Sequence, residues 1–235
     1  LAEPPVGGPG TAALGGPADA VGLRLPPGSV EALRALARTE GGALTMVLLA
    51  CFKAVLHRCL GRRAPLVLLP VAGRDAPETR EAVGDFVNLL PLRADCAGDP
   101  TFRELFRRVR ERTLEAYAHQ ELPYLEMWRA AHPECDPDRI VARPEAVFNY
   151  HNSVRSAPAL GDLRLRVVGE VGTGMASDGL TLNLWDTPGE ALTGSLVYRG
   201  DLFDPDTIRE MAERFEALLE SAASDPDRRI SAQDR

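Results

Sequence analysis

The residues best equipped for chemistry fall into six small groups. His132 and Asp136 stand four apart in His132-Pro133-Glu134-Cys135-Asp136, an H-x-x-x-D spacing that could be mistaken for a catalytic motif. Ala131 and Pro137 flank them, and the better reading is a solvated loop. Metal binding by His132, Cys135 and Asp136 lacks a second ligand pair at a recognised spacing. His119-Gln120 precedes Glu121-Leu122-Pro123; a histidine with no serine or cysteine partner is not a nucleophilic site, and the pair reads as the cap of a long helix, with Pro123 starting the next turn. His151 ends a strand-like run that contains Asn149, either as strand-end polarity or as a lining of a substrate channel. Arg74-Asp75 sits in a Gly- and Pro-punctuated loop. Arg74 either pins that loop, through Asp75 or Glu78, or orders it beside a reaction channel. Asn88 is set among apolar neighbours, where an unpartnered amide would cost about 1–3 kcal/mol, so it has a defined job, structural or beside the channel. Ser177-Asp178 closes the run Gly172-Thr173-Gly174-Met175-Ala176. That G-x-G is weak evidence for nucleotide binding, because no helix follows to receive a pyrophosphate. No G-x-S-x-G, P-loop or H-E-x-x-H is present.

The elements that must position these groups follow from periodicity. Residues 66–71 form an apolar run that predicts a buried strand, and residues 86–93 predict its partner across the Arg74 loop. Further strands are expected at 21–25, 146–150, 163–168, 180–185 and 192–198; Leu180, Leu182 and Leu184 mark the core side of one of them. Helices are expected from Ser29 (as cap) to Arg38 and from Thr45 to Gly61, the latter apolar on most faces and therefore buried between layers. Another is expected after Asp99-Pro100, with Glu104–Arg108 and Arg107–Glu111 as exposed pairs. Short and long helices are expected at 124–131 and after Asp204-Pro205. Residues 1–20, rich in Gly, Ala and Pro, read as a linker, residues 21–224 as one folded unit and residues 225–235 as a frayed polar tail.

Composition narrows the function classes. The chain has 235 residues, 45 % hydrophobic and 26 % charged, as in a soluble globular protein. Net charge is −7, so no global field favours nucleic acid or an anionic membrane. Lys53 is the only lysine among 27 basic residues, which points to base composition rather than phosphate binding. Cys51, Cys59, Cys96 and Cys135 include no C-x-x-C and read as small buried hydrophobes in a reducing, cytoplasmic setting. The apolar run 43–56 is too short to span a bilayer and contains Lys53.

Several of these groups, in order, resemble condensation domains of nonribosomal peptide synthetases. Residues 70–93 match the family's P-V-A-G-R-x-x-P-E…V-G-x-F-V-N-T-L-P-L-R, with Leu89 in place of Thr. His119-Gln120-Glu121-Leu122-Pro123-Tyr124 resembles its H-Q-[DE]-L-P-[FY], Asp178-Gly179-Leu180-Thr181-Leu182 its D-L-T-L with Gly179 inserted, and Leu202-Phe203-Asp204 its D-L-F-D ending. The resemblance covers residues 23–230. It implies an α/β fold of the chloramphenicol-acetyltransferase-like superfamily: a mixed sheet of five or six strands covered by helices, one half of a two-lobed domain. Residues 1–20 would then be the interlobe linker and 21–224 the C-terminal lobe. The family's catalytic His-His-x-x-x-Asp-Gly belongs to the N-terminal lobe, and this chain has no His-His pair, so no catalytic residue is expected here. The resemblance implies amide formation between aminoacyl or peptidyl thioesters. Their phosphopantetheine arms are delivered by donor and acceptor peptidyl carrier proteins, beside an adenylation domain, with no metal, nucleic acid or membrane. Arg74, Asp75, Asn88, Asn149 and His151 would line the channel or its floor, Ser177 and Asp178 would belong to a latch reaching the N-terminal lobe, and His119, Gln120 and Pro123 would be structural. An alternative is a non-catalytic relative that binds carrier proteins or recruits a tailoring enzyme. An epimerising relative, suggested by Phe148-Asn149-Tyr150, fits the Arg74 and Asn88 motifs less well.

Overall fold

A computed structural model describes residues 15–131, 133, 146–152, 174–187 and 189–232. The elements run β1 (Gly16–Leu25), α1 (Pro27–Thr39), α2 (Leu44–Leu60), β2 (Val67–Val71), α3 (Pro77–Arg80), β3 (Asn88–Leu92), α4 (Phe102–Ala118), α5 (Tyr124–Ala131), β4 (Ala146–His151), β5 (Met175–Ala176), β6 (Leu180–Trp185), β7 (Leu192–Arg199) and α6 (Pro205–Ser224), followed by a short 3-10 turn at Ile230–Ala232. The strands form one mixed sheet in the order β3-β2-β4-β6-β7-β1-β5. β2, β4 and β6 are parallel neighbours, and every other pairing is antiparallel. This is the α/β architecture expected, with seven strands among the described residues. The strand expected at 163–168, and His132, Cys135 and Asp136, lie outside the described residues.

Alternation along the strands separates two faces. Val67, Leu69, Phe148, Leu182, Leu196 and Leu23 point to one side and form the core with α1, α2 and α6. α2 is buried almost all round because it lies between this face and α4. Its Phe52 ring stands 6.2 Å from Phe148 and 6.3 Å, edge-on, from Phe215 of α6. Lys53 is 1 % exposed and donates to the carbonyls of Pro65 (2.9 Å) and Leu92 (2.7 Å), tying α2 to the end of β3. Cys51, Cys59 and Cys96 are buried free thiols, and burial raises the Cys96 thiol to about 11. No single helix among the described residues is long and apolar enough to cross a membrane.

Several local expectations need correction. β1 starts at Gly16, inside the expected linker, because Gly16–Ala20 pair with β5 and the end of β7. Composition alone shows no strand there; the tertiary partners supply it. Residues 225–232 of the tail are packed rather than frayed. Ile230 is 2 % exposed, and its backbone bonds Pro100 and Arg58, while Ser231 bonds the Asp99 carboxylate at 2.8 and 3.0 Å. Asp99 therefore anchors the tail, and Thr101 caps α4 through a reciprocal box with Glu104. Glu104 and Arg107 consequently do not form the expected surface pairs: Arg107 bonds Glu40 at 2.8 Å, and Arg108 bonds the carbonyls of Asp95 and Ala97. α1 starts at Pro27 without a side-chain cap, and α2 starts at Leu44. Asp204 does cap α6, and Gly61 ends α2 in the left-handed region.

Candidate functional site

The loop after β2 is built around Arg74. Its guanidinium donates to the carbonyls of Thr79, Ala82 and Gly84 and lies 4.7 Å over the Phe86 ring. The planar fork suits this task because it can meet several carbonyls at once. Gly73 makes the approach possible: at φ +62° it sits so close that a Cβ would lie 2.0 Å from the Phe86 carbonyl oxygen. Arg74 thus pins its own loop through backbone carbonyls rather than through Asp75 or Glu78, and Asp75 is exposed. The loop presents Val83, fully exposed, and Val87 at its surface.

Asn88 joins its strand to a turn 32 to 36 residues further along the chain. Its amide nitrogen donates to the carbonyls of Gln120 (2.8 Å) and Leu122 (2.9 Å). Its oxygen accepts from the backbone N–H of Leu89 (2.9 Å) and Tyr124 (3.0 Å). These bonds hold the turn between α4 and α5, where His119 ends α4 and the Pro123 carbonyl accepts the first bonds of α5. Because Asn88 pairs with Val71 in the register, its side chain is on the helix-covered side of the sheet. A groove of about 620 Å³ lies beside this turn, between Leu66, Leu90 and Leu92 and the end of α4, with His119 and Met127 on its wall.

Asn149 and His151 occupy the opposite face, where no described helix packs. In the parallel β4–β6 register, Asn149 pairs with Asn183 and His151 with Trp185. The Asn149 amide donates to Asn183 Oδ1 at 2.9 Å. The His151 and Trp185 rings stack at 5.6 Å with an interplanar angle of 12°. The strand ends are fixed from behind by Asp186, which is 5 % exposed and accepts from the Tyr150 hydroxyl and from Arg34 of α1. The Asp186 N–H bonds the His151 carbonyl at 2.9 Å. Burial, and then the Asp186 carboxylate, push the Tyr150 hydroxyl well above its usual range. Asn183, Trp185, Asp186 and Arg34 escaped the sequence reading. The in-pointing Leu180, Leu182 and Leu184 already imply that Thr181, Asn183 and Trp185 face the other way, which is the signal that could have found two of them.

Ser177 and Asp178 lie at the far end of β6. They are separated from Trp185 by the length of that strand, roughly 17 Å. Ser177 Oγ donates to Asp178 at 3.1 Å, and β5 just before them pairs with Gly16 and Pro17 at the sheet edge, leaving Met175 exposed. The structure therefore brings Asn149 and His151 together and separates them from the helix-side Asn88 and from the Ser177–Asp178 edge. The Arg74 loop follows β2 at the same end of the sheet as His151, the end at which parallel-sheet proteins commonly bind ligands. Among the described residues, no group of His, Cys, Asp and Glu could hold a metal ion.

Comparison with known proteins places this arrangement. The condensation domain model matches residues 16–234. A linear gramicidin synthase polypeptide of Brevibacillus parabrevis is 37 % identical over 215 residues, covering 89 % of this chain and 3 % of that protein. The X-domain from teicoplanin biosynthesis superposes with a TM-score of 0.81 at 27 % identity, over 93 % of this chain and 50 % of that one. The same kind of domain, solved as a complex of the X-domain and OxyB, gives a TM-score of 0.78 at 27 % identity, over 92 % of this chain and 48 % of that one. The chain thus spans about half the length of these solved chains and a small part of the synthase. On the match across its sheet and helices, this chain belongs to the condensation domain family found in nonribosomal peptide synthetases.

Proposed function

We propose that this chain is the C-terminal lobe of a condensation domain that forms amide bonds between thioesters presented by donor and acceptor carrier proteins. The observation that carries this reading is the family match over residues 16–234 in a chain that aligns with half of the solved domains. The face of β4 and β6 that no described helix covers is the surface this lobe would turn toward its partner lobe. Asn149 and His151 would line the channel there, Arg74 and Asp75 would belong to the floor loop, and Ser177 and Asp178 would form the latch. Asn88, His119, Gln120 and Pro123 hold the frame. In this reading the lobe spans Gly16–Ala232, wider at both ends than residues 21–224.

The chain carries no His-His pair, so its contribution is positioning. Holding two reactants in a near-attack geometry can supply roughly 7–11 kcal/mol of a barrier, shared here between two lobes. The proton on the attacking amine would be handled by the histidine pair of the N-terminal lobe. The test is condensation of loaded carriers by this chain with and without a separately expressed N-terminal lobe. Product only from the mixture supports the reading; product from this chain alone contradicts it.

A second reading, a module that binds partners without turnover, is favoured by one observation: the similar teicoplanin X-domain is solved in complex with OxyB. Carrier or partner binding by the assembled two-lobed protein, with no condensation, would establish it.

A further inference from the structure

We infer that the groove between β3 and α4 binds the carboxyl end of a short apolar peptide, laid along the outer edge of β3. The inference goes beyond the function proposed above and does not rest on it. Among the described strands, β3 ends the sheet. Two prolines fix which of its backbone groups are free. Pro70 stands opposite Leu89, and Pro91 opposite Leu68; neither proline has an N–H to give. Bonded and non-bonded pairs alternate in an antiparallel ladder, so Asn88, Leu90 and Leu92 carry the bonds to β2. Leu89 and Pro91 therefore turn their backbone groups outward. The Leu89 N–H is taken by Asn88 Oδ1 at 2.9 Å, and Pro91 has none. Two carbonyls remain on this edge, those of Leu89 and Pro91, and neither has a partner among the described residues. An edge that accepts without donating cannot take a full further strand, whose carbonyls need donors in return. It suits two alternate N–H groups of a short extended peptide. The carbonyls of Leu89 and Pro91 are about 6.7 Å apart along the strand, the spacing of such N–H groups.

The groove beside this edge supplies the rest. Its volume of about 620 Å³ falls within the ~300–1,000 Å³ of sites that hold small ligands. Leu90 and Leu92 line one side, and Ala116 and Met127 the other. Ala116 shares a stripe of α4 with Arg112, Glu115 and His119, and its small side chain leaves room for an apolar residue of the ligand. The charges at the rim select the end of the peptide. Arg112 pairs with Glu115 at 2.7 Å, and Asp95 with Arg63 at 2.7 Å. Arg93 also lines the groove, is exposed, and its guanidinium has no partner among the described residues. A peptide parallel to β3 would bring its terminal carboxylate to that guanidinium, whose planar fork suits a bidentate pair. N–H donors along the edge and an anion at its end together specify a peptide acid. A fatty acid would leave both carbonyls unmet, and a peptide amide would leave Arg93 unpaired.

The test titrates this chain with acetyl-Leu-Val-Leu as the free acid and as the C-terminal amide. Two further acids are N-methylated, one at both leucines and one at the valine. Calorimetry gives the affinities, and backbone amide shifts at residues 88–93 and 112–119 locate the site. The acid is expected to bind about tenfold more tightly than the amide. Methylation at both leucines should weaken the acid about tenfold, and methylation at the valine should leave it unchanged. In a tripeptide only the first and third N–H groups can meet two carbonyls on one edge. Arg93→Gln, at an exposed position, is expected to abolish the preference for the acid and to leave the affinity of the amide as it was. Equal binding of acid and amide, or equal losses from the two methylation patterns, would overturn the site. So would a preference unmoved in Arg93→Gln, or no shifts at these residues up to the solubility limit of the acid. The comparison of the four peptides on the unchanged chain stands even where the variant fails to fold.

Discussion

Asn88 uses both polar atoms of its side chain, in four bonds, all within its own chain. Asn88→Leu is expected to lower stability by about 2–4 kcal/mol, since several backbone groups lose their partner together. Chemical denaturation measures the loss, and hydrogen exchange should rise at residues 120–126. Arg74→Lys should act differently. A lysine cannot meet the three carbonyls at once, so the loop at 72–87 should become a protease target while global stability falls by only about 1 kcal/mol. That Asn88 had a defined job was legible from its apolar neighbours. Its partners were not, because they sit on a turn 32 to 36 residues away whose path the local sequence does not determine. Arg74 shows the same limit: a pinned loop was readable, but its acceptors are backbone carbonyls, which leave no mark in residue identity.

Among the elements, the β2–β3 connection depends on Gly73. Gly73→Ala should destabilise the chain and displace Phe86, because the added carbon meets a backbone oxygen at 2.0 Å in a left-handed conformation; thermal melting with Phe86 ring shifts would register both effects. The entry to α4 offers a pH test. Hydrogen bonds from Arg63 first, then from the Ala97 N–H, lower the Asp95 carboxyl to about 2. An unfolded aspartate titrates near ~3.9. The folded form thus binds fewer protons in between, so this stabilisation is complete above about pH 4 and is lost as pH falls toward 2. Asp95→Asn should therefore flatten the melting temperature between those limits. The effect should be small, because both side chains are largely in solvent. Strands β2, β4, β6 and β7 were legible from their apolar residues, β2 as a continuous apolar run and β6 through its alternating leucines. The first half of β1 was not, since its Gly, Pro and Ala residues extend only through pairing with β5 and β7. The packed tail was missed for a similar reason: one buried side chain, Ile230, and bonds to Asp99 hold a stretch that is polar in sequence.

At the scale of the molecule, the sheet carries its helices on one face and turns Asn149, His151, Asn183 and Trp185 to the other. The proposal that a second lobe packs against this face comes from the family resemblance, not from periodicity. Large apolar groups also remain at the surface, including Val83, Val87, Leu125 and Met175. The chain alone should self-associate with rising concentration, and sedimentation velocity showing a monomer throughout would count against the half-domain account. The most direct test is condensation of a loaded donor and a loaded acceptor carrier by this chain, by an N-terminal lobe carrying the His-His motif, and by the two mixed. The account predicts amide product from the mixture and none from either part. Product from this chain alone would place the active site within these 235 residues and contradict it.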